Sequence, residues 1–323
     1  DKFASIATIN PVTYDGTQHK PAENEIEKEI TVESDGKTYT LKLGEDYEVV
    51  YGDNVNAGTE AGSVTIKPIP NKNCTFNEFT KTFTINPVEI DILNHVGEKQ
   101  INGENVLGDL VYAPAGSDTE VPAGLNYTYN GNAHGVQLNF NNTRTWQVGN
   151  EPKNLNDLVE ITYDKTSLTE TNVGTYTVNA TFTVNPAYTG NFVIKSGNTY
   201  SYTWRIDKAT LQVTAPTLNV YGSELAKGEK KNYQYKLDWL KGAKPTSIVV
   251  DSLVGVSCGV SYDPTNDYIS VVNVEAKEAG TPGSVINLTL TFDNYNDLKV
   301  AIKVNYINKK PVTVSMKPFT AVY

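Results

Sequence analysis

A short junction recurs along this chain and sets the scale on which it can fold: Ile9-Asn10-Pro11-Val12, Ile85-Asn86-Pro87-Val88, Ile206-Asp207-Lys208-Ala209 and Ile307-Asn308-Lys309-Lys310. A tyrosine with turn-forming neighbours follows the first three, as Tyr14-Asp15-Gly16, Tyr129-Asn130-Gly131 and Tyr221-Gly222-Ser223, and Tyr323 follows the fourth. Late in each unit a Gly-Thr pair precedes a strand-like run, at Gly58-Thr59, Gly174-Thr175 and Gly280-Thr281. Three features recurring in one order mark divergent repeats, each with its own core and unequal in length. The borders expected are 1–86, 87–207 and 208–307, with 308–323 as the first strand of a further repeat. The middle repeat carries its surplus before Tyr129, around Asp91 to Tyr127.

Hydrophobic periodicity sets the class. From Thr175 to Val184, the apolar Tyr176, Val178, Ala180, Phe182 and Val184 alternate strictly with polar residues. Period two describes a strand with one face on a core and the other in water. Ile286, Leu288, Leu290 and Phe292 repeat the pattern, as do Tyr47, Val49 and Tyr51. The closing strands place Tyr200, Tyr202, Trp204 and Ile206 on one face, and Leu298, Val300, Ile302, Val304 and Tyr306 on another. Ile307 falls on the opposite parity from Ile206, which a bulge or a shifted boundary would explain. One helical turn is expected over Asn154 to Val159. Short amphipathic strands at turn-punctuated spacing predict an all-β chain of antiparallel sandwiches in tandem. The junctions are too short for flexible linkers, so they favour an elongated, semi-rigid array.

Composition excludes several functions. The formal charge is −10, with 27 Lys and Arg against 37 Asp and Glu, which disfavours nucleic-acid phosphates as a partner. The acidic Glu23 to Glu29 stretch reads as a solvated face or turn. No run reaches the length of a membrane span, and Asp1-Lys2-Phe3 opens without a leader-like apolar region. The two cysteines, Cys74 and Cys258, fall in different repeats and are expected as unpaired, partly buried thiols, in no zinc pattern.

The residues that carry chemistry elsewhere are scattered. His19, His95 and His134 form no metal-binding pair and read as turn residues, so no metal or cofactor is expected. Asp53-Asn54, Asp164, Asp263 and the run Asp293 to Asp297 resemble calcium loops superficially but match no EF-hand spacing; Asp and Asn are favoured in turns for backbone reasons. Lys81, which interrupts the apolar face of Phe79, Phe83 and Ile85, reads as an edge charge that blunts aggregation, with a Lys–Asn isopeptide crosslink as the alternative. Trp204 belongs on the core face with Tyr202 and Ile206, and Trp239 on a strand face with Tyr235 and Leu237. Trp146 lies in the most polar setting, Asn141 to Trp146, between Phe140 and Val148 in alternation. Sugar-binding sandwiches stack exposed aromatics on pyranose faces, and Trp146 is the candidate ligand-binding residue.

Two of the repeats resemble known bacterial surface modules. Tyr14-Asp15-Gly16, Gly44 to Tyr51, Asn54 to Gly58 and Phe83-Thr84-Ile85 are similar to immunoglobulin-like repeats of large gut-bacterial surface proteins. Tyr129-Asn130-Gly131, Asn172 to Tyr176 and Ile206 to Ala209 are similar to the mostly-β repeats called MBG domains. Asn73-Cys74-Thr75 departs from the usual pattern, which Ala187-Tyr188-Thr189-Gly190 keeps, and the third repeat retains little beyond Tyr221-Gly222-Ser223. The resemblance implies tandem immunoglobulin-like sandwiches, extracellular display on a bacterial cell surface, and no catalytic residues. The expected role is a non-catalytic stalk or adhesin segment, monomeric in solution, that holds a distal module outward. The alternative is carbohydrate binding, with host or dietary glycans or surface proteins as partners.

Overall fold

A computed structural model describes residues 2–3, 8–22, 26, 30–70, 72, 75–92, 98–101, 104–117, 125–141, 144–195, 197–215, 217–221, 231–276 and 284–307. The chain is all-β: more than half of it is strand and helix is almost absent. The expected helical turn is Leu155–Leu158, opened by the Asn154 amide donating to Asp157 Oδ2 at 2.8 Å. Leu155 and Leu158 point into the core and hold the turn there.

The chain divides into two compact units, residues 1–125, 135–169 and 176–204 in the first and 126–134, 170–175 and 205–323 in the second. The expected border at 86/87 lies inside the first unit and that at 207/208 inside the second. The proposed strand 308–323, His95, Cys74, the Gly280-Thr281 pair and most of Glu23 to Glu29 lie outside the described residues.

In the first unit, Val12–Thr13, Phe79–Asn86, Gly58–Pro68 and Tyr47–Tyr51 form one sheet in that order, and Lys2–Phe3, Thr31–Ser34 and Lys37–Thr40 another. Tyr47, Val64, Ile66, Phe83 and Ile85 are buried from the first sheet and Val32 from the second. Leu110–Pro114 pairs antiparallel with His134–Phe140, so part of the surplus segment becomes a sheet edge. The alternating run behaves as predicted: Val178, Ala180 and Phe182 are buried, paired across from Tyr163, Ile161 and their neighbours. Burying each large apolar side chain contributes about 1.5–3 kcal/mol, which is why strict alternation is a strong determinant of which face turns inward. The Tyr163 hydroxyl accepts from the Leu138 amide at 3.0 Å and donates to the Leu138 carbonyl at 3.3 Å, satisfying both backbone groups as a neighbouring strand would.

In the second unit, Thr217–Tyr221, Leu298–Ile307, Val285–Thr291 and Ser247–Val254 form one sheet, and Lys231–Lys236, Tyr268–Ala276 and Val256–Asp263 a second. Ile286, Leu288, Leu290, Val300 and Ile302 from the first meet Val256, Ile269 and Val271 from the second in one core. Two expectations are corrected here. Trp239 is on no strand: the strand ends at Lys236, and Asp238–Leu240 is a 3-10 turn closed by Lys241 in the left-handed region at φ 53°. Its indole is nevertheless partly buried against the core. A bulge is not met at Ile307, since Thr217–Tyr221 keeps unbroken register with Lys303–Ile307.

One arrangement occurs three times. Val12–Thr13 runs parallel to Ile85–Asn86, Asn126–Thr128 parallel to Arg205–Asp207, and Thr217–Tyr221 parallel to Lys303–Ile307. In each expected repeat the strand at the tyrosine turn thus lies parallel beside the last strand. It is the first described strand only in 208–307, since Lys2–Phe3 precedes Val12–Thr13, and Val88–Ile90, which pairs parallel with Phe192–Ile194, precedes Asn126–Thr128. The amides of Tyr14 and Tyr129 extend the pairing by donating to the Asn86 and Asp207 carbonyls, each at 2.9 Å.

Buried phenols make the fold sensitive to alkali. Burial, reinforced by Tyr233, pushes the Tyr235 hydroxyl from 10.0 up to about 12. Burial also raises the Tyr202 hydroxyl, helped by Tyr163 and Tyr112, and the Tyr112 hydroxyl, helped by its hydrogen bond to Tyr200. A raised folded-state pKa contributes stability that is complete below the unfolded value and is lost as pH rises through the folded one. Stability should therefore hold up to pH 10.0 and fall between there and about 12. Phenolate absorbance should rise in two phases, the later one coinciding with loss of near-ultraviolet circular dichroism.

Candidate functional site

Trp146 sits on the hairpin Thr145–Val148 and Glu151–Asn154, directly opposite Lys153. Its indole is half-buried. The Arg144 guanidinium lies over the ring, 5.1 Å from its centre. That guanidinium is fixed from behind: Arg144 Nη2 is 2.5 Å from Asp109 Oδ2 and donates to the Asp91 carbonyl at 2.7 Å. Asp109 is only 2% exposed, so its charge needs this partner. Lys153 turns outward to Glu151 at 2.6 Å. Arg144, absent from the sequence-based candidates, is the residue that organises the group; its place two residues before Trp146 in a strand was the available signal.

The tip of this hairpin is held at the Tyr14-Asp15-Gly16 turn, where the Gly149 amide donates to the Asp15 carbonyl at 2.7 Å. Gly16 has φ 78° and lies against the Gly149 backbone, leaving no room for a β-carbon. Both described Tyr turns share more than the tyrosine. Asp15 Oδ1 accepts from the Thr17 amide at 2.8 Å and lies 3.4 Å from His19 Nε2. Asn130 Oδ1 accepts from the Asn132 amide at 2.9 Å and is 2.9 Å from His134 Nε2. His19 and His134 therefore close equivalent turns, five residues after each tyrosine. The isolated-turn reading of these histidines missed this spacing, which is visible in Tyr14 to His19 and Tyr129 to His134.

The remaining candidates are engaged structurally. Asn54, 2% exposed, accepts from the Ser63 amide and donates to the His19 and Ser63 carbonyls. Asp164 accepts from the amide and side chain of Asn179, fifteen residues on, and Asp263 accepts from Thr265 and Asn266, as a turn-forming Asp does. Among the described residues no three His, Cys, Asp or Glu side chains converge as a metal site. Lys81 is half-buried and directly opposite Val64. Trp204 is 1% exposed and packs on Tyr176, with ring centres 4.7 Å apart. Cys258 is a half-buried free thiol whose pKa burial raises. A groove of about 500 Å³ is lined by Gln137, Asn139, Phe140, Asn156 and Tyr163. Its Gln137 and Asn139 amides both donate to the Ser117 carbonyl and the Tyr163 hydroxyl is held by Leu138, so these groups are turned to internal bonds. No described helix is long and apolar enough to cross a membrane.

No protein-family model matches the chain, and no curated protein does. Among solved structures, an endo-fucoidan hydrolase variant from glycoside hydrolase family 107 aligns with 10% identity over 87% of this chain, at a TM-score of 0.22. The chain spans 37% of that enzyme's length. Likeness at this level carries neither fold nor function to this chain.

The Trp146 group yields a stability test. Arg144→Ala leaves Asp109 buried without its cation and should cost about 3 kcal/mol. Trp146→Ala, which removes the stacked ring but spares the ion pair, should cost less, about 1–2 kcal/mol. Urea denaturation with unchanged slopes would read both.

Proposed function

We propose that the chain is a non-catalytic stalk or adhesin segment from a bacterial cell-surface protein, built of tandem immunoglobulin-like sandwich repeats that carry a distal module outward. The supporting observation is the parallel pairing of the strand at each tyrosine turn with the last strand of its expected repeat, met three times. In 208–307, where Thr217–Tyr221 is the first described strand, this pairing brings the chain in at one end and releases it at the other. Antiparallel closure would return the chain to the end where it began. Repeats closed in this way add length with each copy, which suits a spacer.

Carbohydrate binding at Trp146 is the second reading. The half-buried indole, with a guanidinium pinned beside it, offers an aromatic face and N–H donors in one place. The two readings part in one experiment. The chain, tethered by its C-terminus to a support and labelled at its N-terminus, should hold the label at a fixed height that drops when residues 208–307 are removed. On a glycan array it should bind nothing. Saturable glycan binding abolished by Trp146→Ala, with label height insensitive to the deletion, would replace the spacer with the adhesive reading.

A further inference from the structure

The same set of contacts joins the first expected repeat to the second and the second to the third. In the first case, Asn191 Oδ1 accepts from the Ala57 amide at 2.7 Å and Asn191 Nδ2 donates to Asn56 Oδ1 at 3.0 Å. In the second, Asn294 Oδ1 accepts from the Val173 amide at 2.9 Å and Asn294 Nδ2 donates to Asn172 Oδ1 at 3.2 Å. Each receiving pair stands immediately before a Gly-Thr strand start, in Asn56-Ala57-Gly58 and Asn172-Val173-Gly174. Each set lies wholly within one compact unit.

The residue after each asparagine completes the match. Phe192 takes the edge of Tyr14 with ring centres 5.6 Å apart and planes at 77°. Tyr295 takes the edge of Tyr129 at 5.3 Å and 82°. A second ring from the same repeat buttresses each: Tyr188 on Phe192 at 5.9 Å, and Phe292 on Tyr295 at 6.0 Å. The backbone fixes the asparagine as well. The Asn191 carbonyl accepts from the Val88 amide and the Asn294 carbonyl from the Ala209 amide, at 2.9 and 3.1 Å. Val88 and Ala209 hold the same place in their junctions, three residues after Ile85 and Ile206.

We infer that these are the two halves of a self-recognition interface: an Asn-aromatic plug on one repeat and a socket, made by the Tyr turn and Asn-x-Gly, on the repeat before it. The partner each half fits is another repeat of this type. The chemistry is selective. A carboxamide presents one acceptor and one donor, and the socket offers a backbone N–H and an amide oxygen at the matching positions. Aspartate at the plug would keep the acceptor, lose the donor and set a carboxylate against the Asn56 or Asn172 oxygen. The two ring edges add apolar area and a geometric preference to the polar pair. The interface stands apart from the stalk reading, since it concerns how neighbours hold each other and not what the array carries.

Residue-resolved hydrogen exchange of the full chain tests it, because the plug protects one named amide in each socket. In the wild-type chain the Ala57 and Val173 amides should be protected. Asn191→Ala should speed Ala57 exchange about five- to tenfold and leave Val173 unchanged; Asn294→Ala should do the reverse. Asn191→Asp should keep much of the Ala57 protection while weakening the Asn56 side. Unprotected Ala57 and Val173 amides in the wild type would overturn the inference. So would an Asn191→Ala effect spread evenly over Gly58–Pro68 and not centred on Ala57. Should either alanine variant fail to fold, the wild-type protection pattern and the other variant still decide.

Discussion

Parallel backbone pairing between the strand at a tyrosine turn and the strand that runs into the next junction is the constraint from which the other features follow. Once Val12–Thr13 lies beside Ile85–Asn86 in the same direction, the turn after Thr13 must emerge where Asn86 hands the chain on to Val88–Ile90. The same holds for Thr128 beside Asp207. The tyrosine turn is therefore placed at a junction by strand direction alone. Its tyrosine can then meet an aromatic of the following repeat, as Tyr14 meets Phe192 and Tyr129 meets Tyr295.

The polar groups are arranged to serve this frame. Asn54 and Asp164, which resemble cation ligands in a bare sequence, spend their side chains on nearby backbone and amide groups. The Arg144–Asp109 pair is the costliest charge arrangement described, and it anchors a hairpin whose tip reaches the Asp15 carbonyl. Buried charges survive only when paired, so this group has little freedom to change partner for a ligand without destabilising the hairpin. That tension bears on any adhesive role for Trp146, whose ring Arg144 already covers in part.

Much of the fold was legible in sequence because alternation is a one-dimensional signal. Thr175 to Val184 and Ile286 to Phe292 alternate, and Val178, Ala180 and Phe182 in the first and Ile286, Leu288, Leu290 and Phe292 in the second are buried. Alternation carries no information about strand direction, however, since side chains switch faces every residue in parallel and antiparallel pairs alike. The closing geometry was hidden for that reason. Trp239 was misplaced because a 3-10 turn of three residues is too short to interrupt an apparent period of two. The plug asparagines were hidden differently. Asn is so common in turns that Asn191 and Asn294 had nothing to separate them from Asn296 or Asn185 until their partners across the junction were known. The histidine spacing from Tyr14 to His19 and from Tyr129 to His134 was in plain view and was missed by weighing each histidine alone.

Strand direction at the three closures is the claim to test most directly, and interproton distances report it without relying on function. In a uniformly labelled sample, nuclear Overhauser contacts from Thr13 to Asn86, Tyr127 to Ile206 and Val220 to Tyr306 should show the Hα-to-amide pattern of parallel neighbours. Short Hα–Hα contacts at these sites, which mark antiparallel pairs, or no cross-strand contact at all, would contradict it.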